Sequence, residues 1–409
     1  MNGGRPGSSR QAAAIRSRFD ELGWWTIHRA VYGRAMVRRE GPTLALQTLK
    51  RAALAIGGCL FVGSLALWRM GVRGGGRLLT LPARPPFLDM WMRWDGGWYT
   101  AIAARGYGYD PAHQSPVVFF PLYPLAIRGL AWLGLDPWLA GILITVAFGL
   151  LGLGLFAHWA RELAGEEASS LATLLMIVWP FALYLYGAVY SDALYLTLAV
   201  GAFYLLERGH PFGSAAAGAL AAATRPVAPA LVLGLLVRSL ELRLRRHERV
   251  RVRDLAPALS GLGTAAYMAY LWWQFRDPLL FLKAQAAWGQ LSGWDALVKR
   301  WLWSRPFDER AIAIPQAALA LGLLALAWPM RKKLGWGYSV YVALVVGIPI
   351  LVSRDFIGLG RYGIAGFPSV LMLAVLLMDR PRLRTGWLWI SAAALGFRAY
   401  RMAVGLIVA

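Results

Sequence analysis

The chain of 409 residues is 58% hydrophobic and only 16% charged, where a soluble domain carries about 25% charged residues. A soluble globular protein is excluded. The net charge of +22 would fit a nucleic-acid binder, but 38 of the 43 basic residues are Arg and most lie between apolar blocks. Basic loops in that position set topology and meet anionic headgroups, so membrane lipids and not nucleic acid are the expected partner. The lone Cys59 excludes an intramolecular disulfide.

In chain order, the first fifty or so residues are polar and basic and lack the pattern of a cleaved signal peptide. Residues 1–20 are expected to be disordered and 21–50 to form a surface helix with Trp24, Trp25, Ile27 and Tyr32. That makes 1–50 a cytoplasmic basic segment and 51–409 one membrane domain. A helix needs roughly 20 apolar residues to cross a bilayer core. Residues 52–68, 138–159, 169–186, 255–273, 311–330 and 336–352 approach that length without an internal charge. Ten Lys and Arg precede the first block, and 238–253 holds seven Arg against two Glu. These, with the clusters 331–333 and 380–384, belong in the cytoplasm by the positive-inside rule. Residues 274–310 and 353–361 are then outer loops, and 386–408 is a last span containing Arg398 and Arg401.

Between 71 and 254 two threadings leave the 238–253 cluster inside. In one, 119–134 spans the membrane and 213–237 is a single span. In the favoured one, 119–134 is a short helix dipping in from outside, and 213–240 breaks at Thr224-Arg225-Pro226 into two arms. Proline removes a backbone donor and arginine is costly in lipid; a broken helix tip lining a polar cavity accommodates both. The expected fold is an all-α polytopic bundle of about 10–11 transmembrane helices with a long first outer loop, 71–118.

That loop holds what membrane crossing does not explain. Trp and Tyr in Met90-Trp91-Met92-Arg93-Trp94-Asp95-Gly96-Gly97-Trp98-Tyr99 fit an interfacial aromatic belt; Asp95 does not. A carboxylate among aromatics tends to a raised pKa through desolvation, which suits a general base for a hydroxyl. The alternative is a salt bridge to Arg93 or Arg105. The loop runs on through Gly106-Tyr107, His113-Gln114 and Phe119-Phe120-Pro121-Leu122-Tyr123-Pro124.

The run from Arg93 to Tyr99, then Gly106-Tyr107, then Phe119 to Pro124, resembles the PIG-V family, the GPI mannosyltransferase 2 type. Tyr190-Ser191-Asp192-Ala193-Leu194, Ala223-Thr224-Arg225-Pro226, Gln285 to Gly289, Arg361-Tyr362 and Phe367-Pro368 are similar to it as well, in family order over residues 88–380. The resemblance implies a GT-C membrane fold, a polyprenyl-phosphate-linked sugar as donor, and a catalytic carboxylate in the first outer loop, here Asp95. It leaves the acceptor, whether glycan, lipid or protein, unnamed.

A departing phosphate calls for a fixed cation, and the planar fork of arginine binds phosphate bidentately. Arg361 and Arg225 are the expected phosphate ligands, against the alternative that each snorkels to the headgroups. Trp94, Tyr99, His113, Gln114, Asp192, Gln285, Trp288 and Tyr362 are the expected substrate contacts. Asp192 or Ser191 alternatively caps a helix. Gln285 and Trp288, three apart, share a helical face, with Trp for stacking and Gln for a hydroxyl. There is no Asp-x-Asp and no His-Glu-x-x-His, so no cofactor is required by the sequence and metal dependence stays open. The competing reading is a transporter or flippase of a lipid-linked precursor, which needs charge through the membrane depth where an interfacial enzyme needs it at one end.

Overall fold

The computed structural model describes residues 41–70, 86–289 and 294–406. The expectations for 1–40 lie outside the described residues. The architecture is an all-α polytopic membrane bundle, with no strand among the described residues. Its helices of eleven residues or more are α1 Gly41–Met70, α2 Asp95–Arg105, α3 Leu122–Trp132, α4 Pro137–Ile177, α5 Asp192–Glu207, α6 Pro211–Ala222, α7 Ala228–Arg245, α8 Leu262–Phe275, α9 Phe307–Ala325, α10 Trp336–Val352, α11 Phe367–Leu377 and α12 Pro381–Ala403.

By length and hydropathy, three stretches among the described residues are able to cross a bilayer alone: Leu46–Met70, Pro137–Ile177 and Glu309–Lys333. A fourth is the pair Leu359–Ala365 and Phe367–Leu377, bent by 84°. Two expected blocks differ in shape. Residues 169–186 are not one helix, because α4 ends at Ile177 and a separate turn, Leu183–Tyr186, follows. Residues 255–273 are split between a 3₁₀ stretch, Val252–Gly261, and α8. The helix α4 itself reverses at Gly165, whose φ of 84° and ψ of 175° are ones that glycine adopts freely. The reversal brings the Ser169 hydroxyl to the Ala157 carbonyl at 2.7 Å, twelve residues apart in sequence.

The helices run between two ends. At one, the segments around Asp95, Tyr190, Arg225 and Arg361 gather. At the other, Glu207 closes α5 and Arg238 lies on α7, with Arg238 Nε donating to Glu207 at 2.6 Å. The fifteen-residue separation of Asp192 and Glu207 along α5 corresponds to about 22 Å of helix rise. The helix α3 does not travel that distance. The Leu122 N–H donates to the Ala223 carbonyl at 2.9 Å, and the Tyr123 hydroxyl meets Gly141 O and Thr145 at 3.0 and 2.8 Å. The chain also breaks between α6 and α7 at Thr224–Val227. Both features match the favoured threading.

Candidate functional site

Backbone contacts bring the separate motifs together. The Val189 N–H donates to the Trp91 carbonyl at 3.1 Å and the Asp95 N–H to the Tyr190 hydroxyl at 3.3 Å, which docks the 187–191 loop on the start of α2. A Cβ on Gly96 would stand 3.2 Å from Trp138 and 3.3 Å from Val189, so a small residue here lets α2 sit against α4. Trp94 enters α2 at φ 44°, an unfavourable setting for a bulky residue that these surrounding contacts hold.

Asp95 does not pair with Arg93 or Arg105. Arg93 is fully buried and donates to Asp89 at 3.0 Å and to the Ala403 carbonyl at 3.1 Å, while Arg105 is exposed. The partner of Asp95 is Arg361, whose Nη1 stands 3.4 Å from Oδ2. Burial pushes the Asp95 carboxyl above the usual carboxylate range, Arg361 opposes that by its charge and hydrogen bond, and Asp192 adds to the rise. The side chain nevertheless keeps 25% of its surface accessible, so a substrate hydroxyl has a route to it.

Asp192 does not cap α5 through its side chain, and neither does Ser191. Its Oδ1 accepts from Arg225 Nη1 at 2.5 Å and both residues are buried. Its Oδ2 is buried without a hydrogen-bond partner. The Tyr99 hydroxyl bonds to Ser191 Oγ at 3.0 Å, and Tyr362 lies 5.4 Å from the Arg225 guanidinium, ring centroid to carbon. Arg361 in turn lies 5.9 Å from the Tyr184 ring and 5.6 Å from that of Tyr190. Two carboxylates and two guanidinium groups thus alternate in a tyrosine-walled space, and neither Arg snorkels away from it.

Arg361 and Tyr362 also line a groove of about 550 Å³, together with Pro226, Val227, Leu344, Ile348, Gln285 and Lys283. Gln285 and Trp288 share a 3₁₀ turn, Ala284–Trp288, in which residues three apart eclipse. Trp288 serves as part of an aromatic wall. Its ring meets Trp98 and Phe119 edge-on at 5.4 and 5.2 Å, and its Nε1–H donates to the Ser115 carbonyl. Trp94 is half-buried and packs on the core.

Two expected contacts are not brought in. His113 closes an exposed turn by bonding Asp110 at 2.8 Å, and Gln114 beside it is exposed. Their place between aromatic stretches reflects a local turn and not the site. Conversely, Tyr184 and Tyr190 line the site without having been singled out; Tyr190 precedes Ser191-Asp192, which was its only signal. Among the described residues, no three His, Cys, Asp or Glu gather as a metal site would.

No family model and no curated protein matches the chain. Solved structures similar to it include two of one protein. ArnT from Cupriavidus metallidurans bound to undecaprenyl phosphate matches at a TM-score of 0.49 and 17% identity, over 83% of this chain and 62% of that one. ArnT from the same organism in the apo state matches at 0.32 and 16%, over 86% and 77%. This chain therefore spans 62% of the length of the first. Likeness at that level leaves activity to be argued from the site.

Proposed function

We propose that this chain is a membrane glycosyltransferase of the GT-C type that moves a sugar, mannose by its resemblance to the PIG-V family, from a polyprenyl-phosphate donor to a hydroxyl acceptor with inversion. The observation that carries the reading is Asp95, a half-buried carboxylate of raised pKa, held beside Arg361, which lines a largely apolar groove. The groove suits the isoprenoid tail and Arg361 the phosphate. The acceptor oxygen attacks the anomeric carbon as the bond from that carbon to the phosphate oxygen breaks. The electron pair leaves with the phosphate, and the hydroxyl proton passes to Asp95. A fixed cation opposite the developing phosphate charge is worth about 3 kcal/mol, by analogy with oxyanion-hole donors. Arg225, held by Asp192, supplies further positive potential. The site faces the extracytoplasmic side and the N-terminus the cytoplasm, on the positive-inside argument. The acceptor is a glycan, lipid or protein hydroxyl.

The test is transfer from radiolabelled polyprenyl-phosphate mannose by the purified protein, wild type beside Asp95→Asn. Product or donor hydrolysis in the wild type, lost in a mutant that still binds donor, is the expected result. Equal activity in both would remove Asp95 from the role of base. Binding without chemistry across a panel of acceptors would favour the flippase.

A further inference from the structure

Arg361 and Arg225 are each matched by a carboxylate. Arg398 is different. It stands on α12 five residues before Ala403, whose carbonyl accepts from Arg93, which places it near the end that carries Asp95. Its guanidinium carbon lies 4.0 Å over the Phe181 ring, and its Nε is buried without a hydrogen-bond partner. No carboxylate reaches it among the described residues. Tyr184 is fully buried and its hydroxyl is also without a partner. The rings of Phe181 and Tyr184 are stacked at 6.5 Å with 9° between their planes. Phe181 packs against Gly360, the neighbour of Arg361, and Arg361 itself lies 5.9 Å from the Tyr184 ring.

Two donor atoms, the Arg398 Nε–H and the Tyr184 hydroxyl, are thus both placed against Phe181 and buried with no acceptor for either. Buried polar groups in native proteins are almost always satisfied, and a cation with a hydroxyl asks for an anion. We propose that Arg398 and the Tyr184 hydroxyl form an anion site, adjacent to Arg361, that takes a phosphoryl group. The planar guanidinium fork favours the oxygens of phosphate, and the apolar surroundings favour a phosphate that arrives on a lipid. Two lipids carry one: the polyprenyl-phosphate donor, a source that rests on the transferase reading, and an anionic membrane lipid, which does not.

The experiment titrates the full chain in dodecyl maltoside with farnesyl phosphate, with farnesol and with dihexanoylphosphatidylglycerol. Wild type is compared with Arg398→Gln, Arg398→Lys and Tyr184→Phe, each first shown to melt as one folded species. For the donor source, Arg398→Gln weakens farnesyl phosphate binding by about tenfold or more, as loss of a charge-assisted hydrogen bond implies. Tyr184→Phe weakens it by about tenfold, as loss of one hydrogen bond to a charged acceptor implies. Arg398→Lys retains most of the affinity, and farnesol binds all forms alike. The same losses seen with the phosphatidylglycerol and not with farnesyl phosphate support the site and assign it to a membrane lipid. Equal binding of both phosphates by wild type and Arg398→Gln overturns the proposal. Sugar transfer by the wild type separates this from the transferase reading: phosphate selectivity intact in a wild type that transfers no sugar sinks that reading alone.

Discussion

Asp95 was legible as a residue that needed a reason, because a carboxylate between Trp94 and two glycines has no place in an aromatic belt. Its partner was not legible. Arg93 and Arg105 are near in sequence, but the start of α2 turns Asp95 toward Arg361, 266 residues away. That pairing has a pH consequence. A base works when ionised, and burial has raised the Asp95 pKa, so activity should fall with acid at a pH above the ordinary carboxylate value of about 3.9. Arg361 holds that pKa down, so Arg361→Gln should move the acid limb to still higher pH as well as lowering the plateau. Profiles of transfer rate against pH for the two proteins check this, and coincident acid limbs would refute it. The second pair behaves differently because both partners are buried. Arg225→Gln leaves Asp192 buried and unpaired, and breaking such a pair costs about 3–5 kcal/mol. Thermal melting in detergent should show that loss, whereas Arg225→Gln with Asp192→Asn should recover part of it.

At the level of elements, the break between α6 and α7 was legible from Arg225-Pro226, since arginine followed by proline has no other comfortable home in an apolar helix. The bend before α11 was concealed. There Gly360 and Gly363 sit so close to the 178–182 segment that a Cβ would stand 2.0 Å from Phe181 and 2.1 Å from Trp179. The Trp179 Nε1–H also donates to the Gly360 carbonyl at 3.1 Å. Gly360→Ala must therefore shift Arg361 or Phe181. We expect transfer to fall by about tenfold or more, as misplacement of a positioning group by an ångström allows, with a smaller change in melting. Activity at wild-type level in this variant would mean that the bend does not position Arg361. The reversal at Gly165 was legible in outline, because Arg161, Glu162, Glu166 and Glu167 separate the apolar blocks 138–159 and 169–186, but its position at Gly165 was not.

Across the whole molecule, charge collects at two ends and the long helices between them are apolar. The end away from Asp95 carries Arg238, buried and bonded to Glu207 and Glu241 at 2.6 and 2.9 Å, with the Tyr338 hydroxyl donating to Glu207 at 2.7 Å. In sequence this arginine belongs to a basic cluster that sets topology; in the fold it also ties α5, α7 and α10 together. Arg238→Ala would leave Glu207 without its cation, while Glu241 keeps Arg245 at 2.6 Å, at a cost of about 3–5 kcal/mol. Melting should drop accordingly, while donor binding per folded molecule stays at the wild-type value because the site is a helix length away. A selective loss of donor binding in folded Arg238→Ala would show the two ends to be coupled.

The class of molecule, the gathering of charge at two ends and the segments that meet at the candidate site could be read along the chain, because composition, hydropathy and the cost of charge in hydrocarbon are local and additive. Which charge faces which could not. Asp95 with Arg361, Asp192 with Arg225, and Arg398 over Phe181 are contacts between distant segments, fixed by how closely glycines let helices and loops approach and by where α4 and the segment before α11 turn. The same packing removed His113 and Gln114 from the site, because a two-residue place in a loop is settled by the turn that Asp110 closes and not by the aromatic residues on either side.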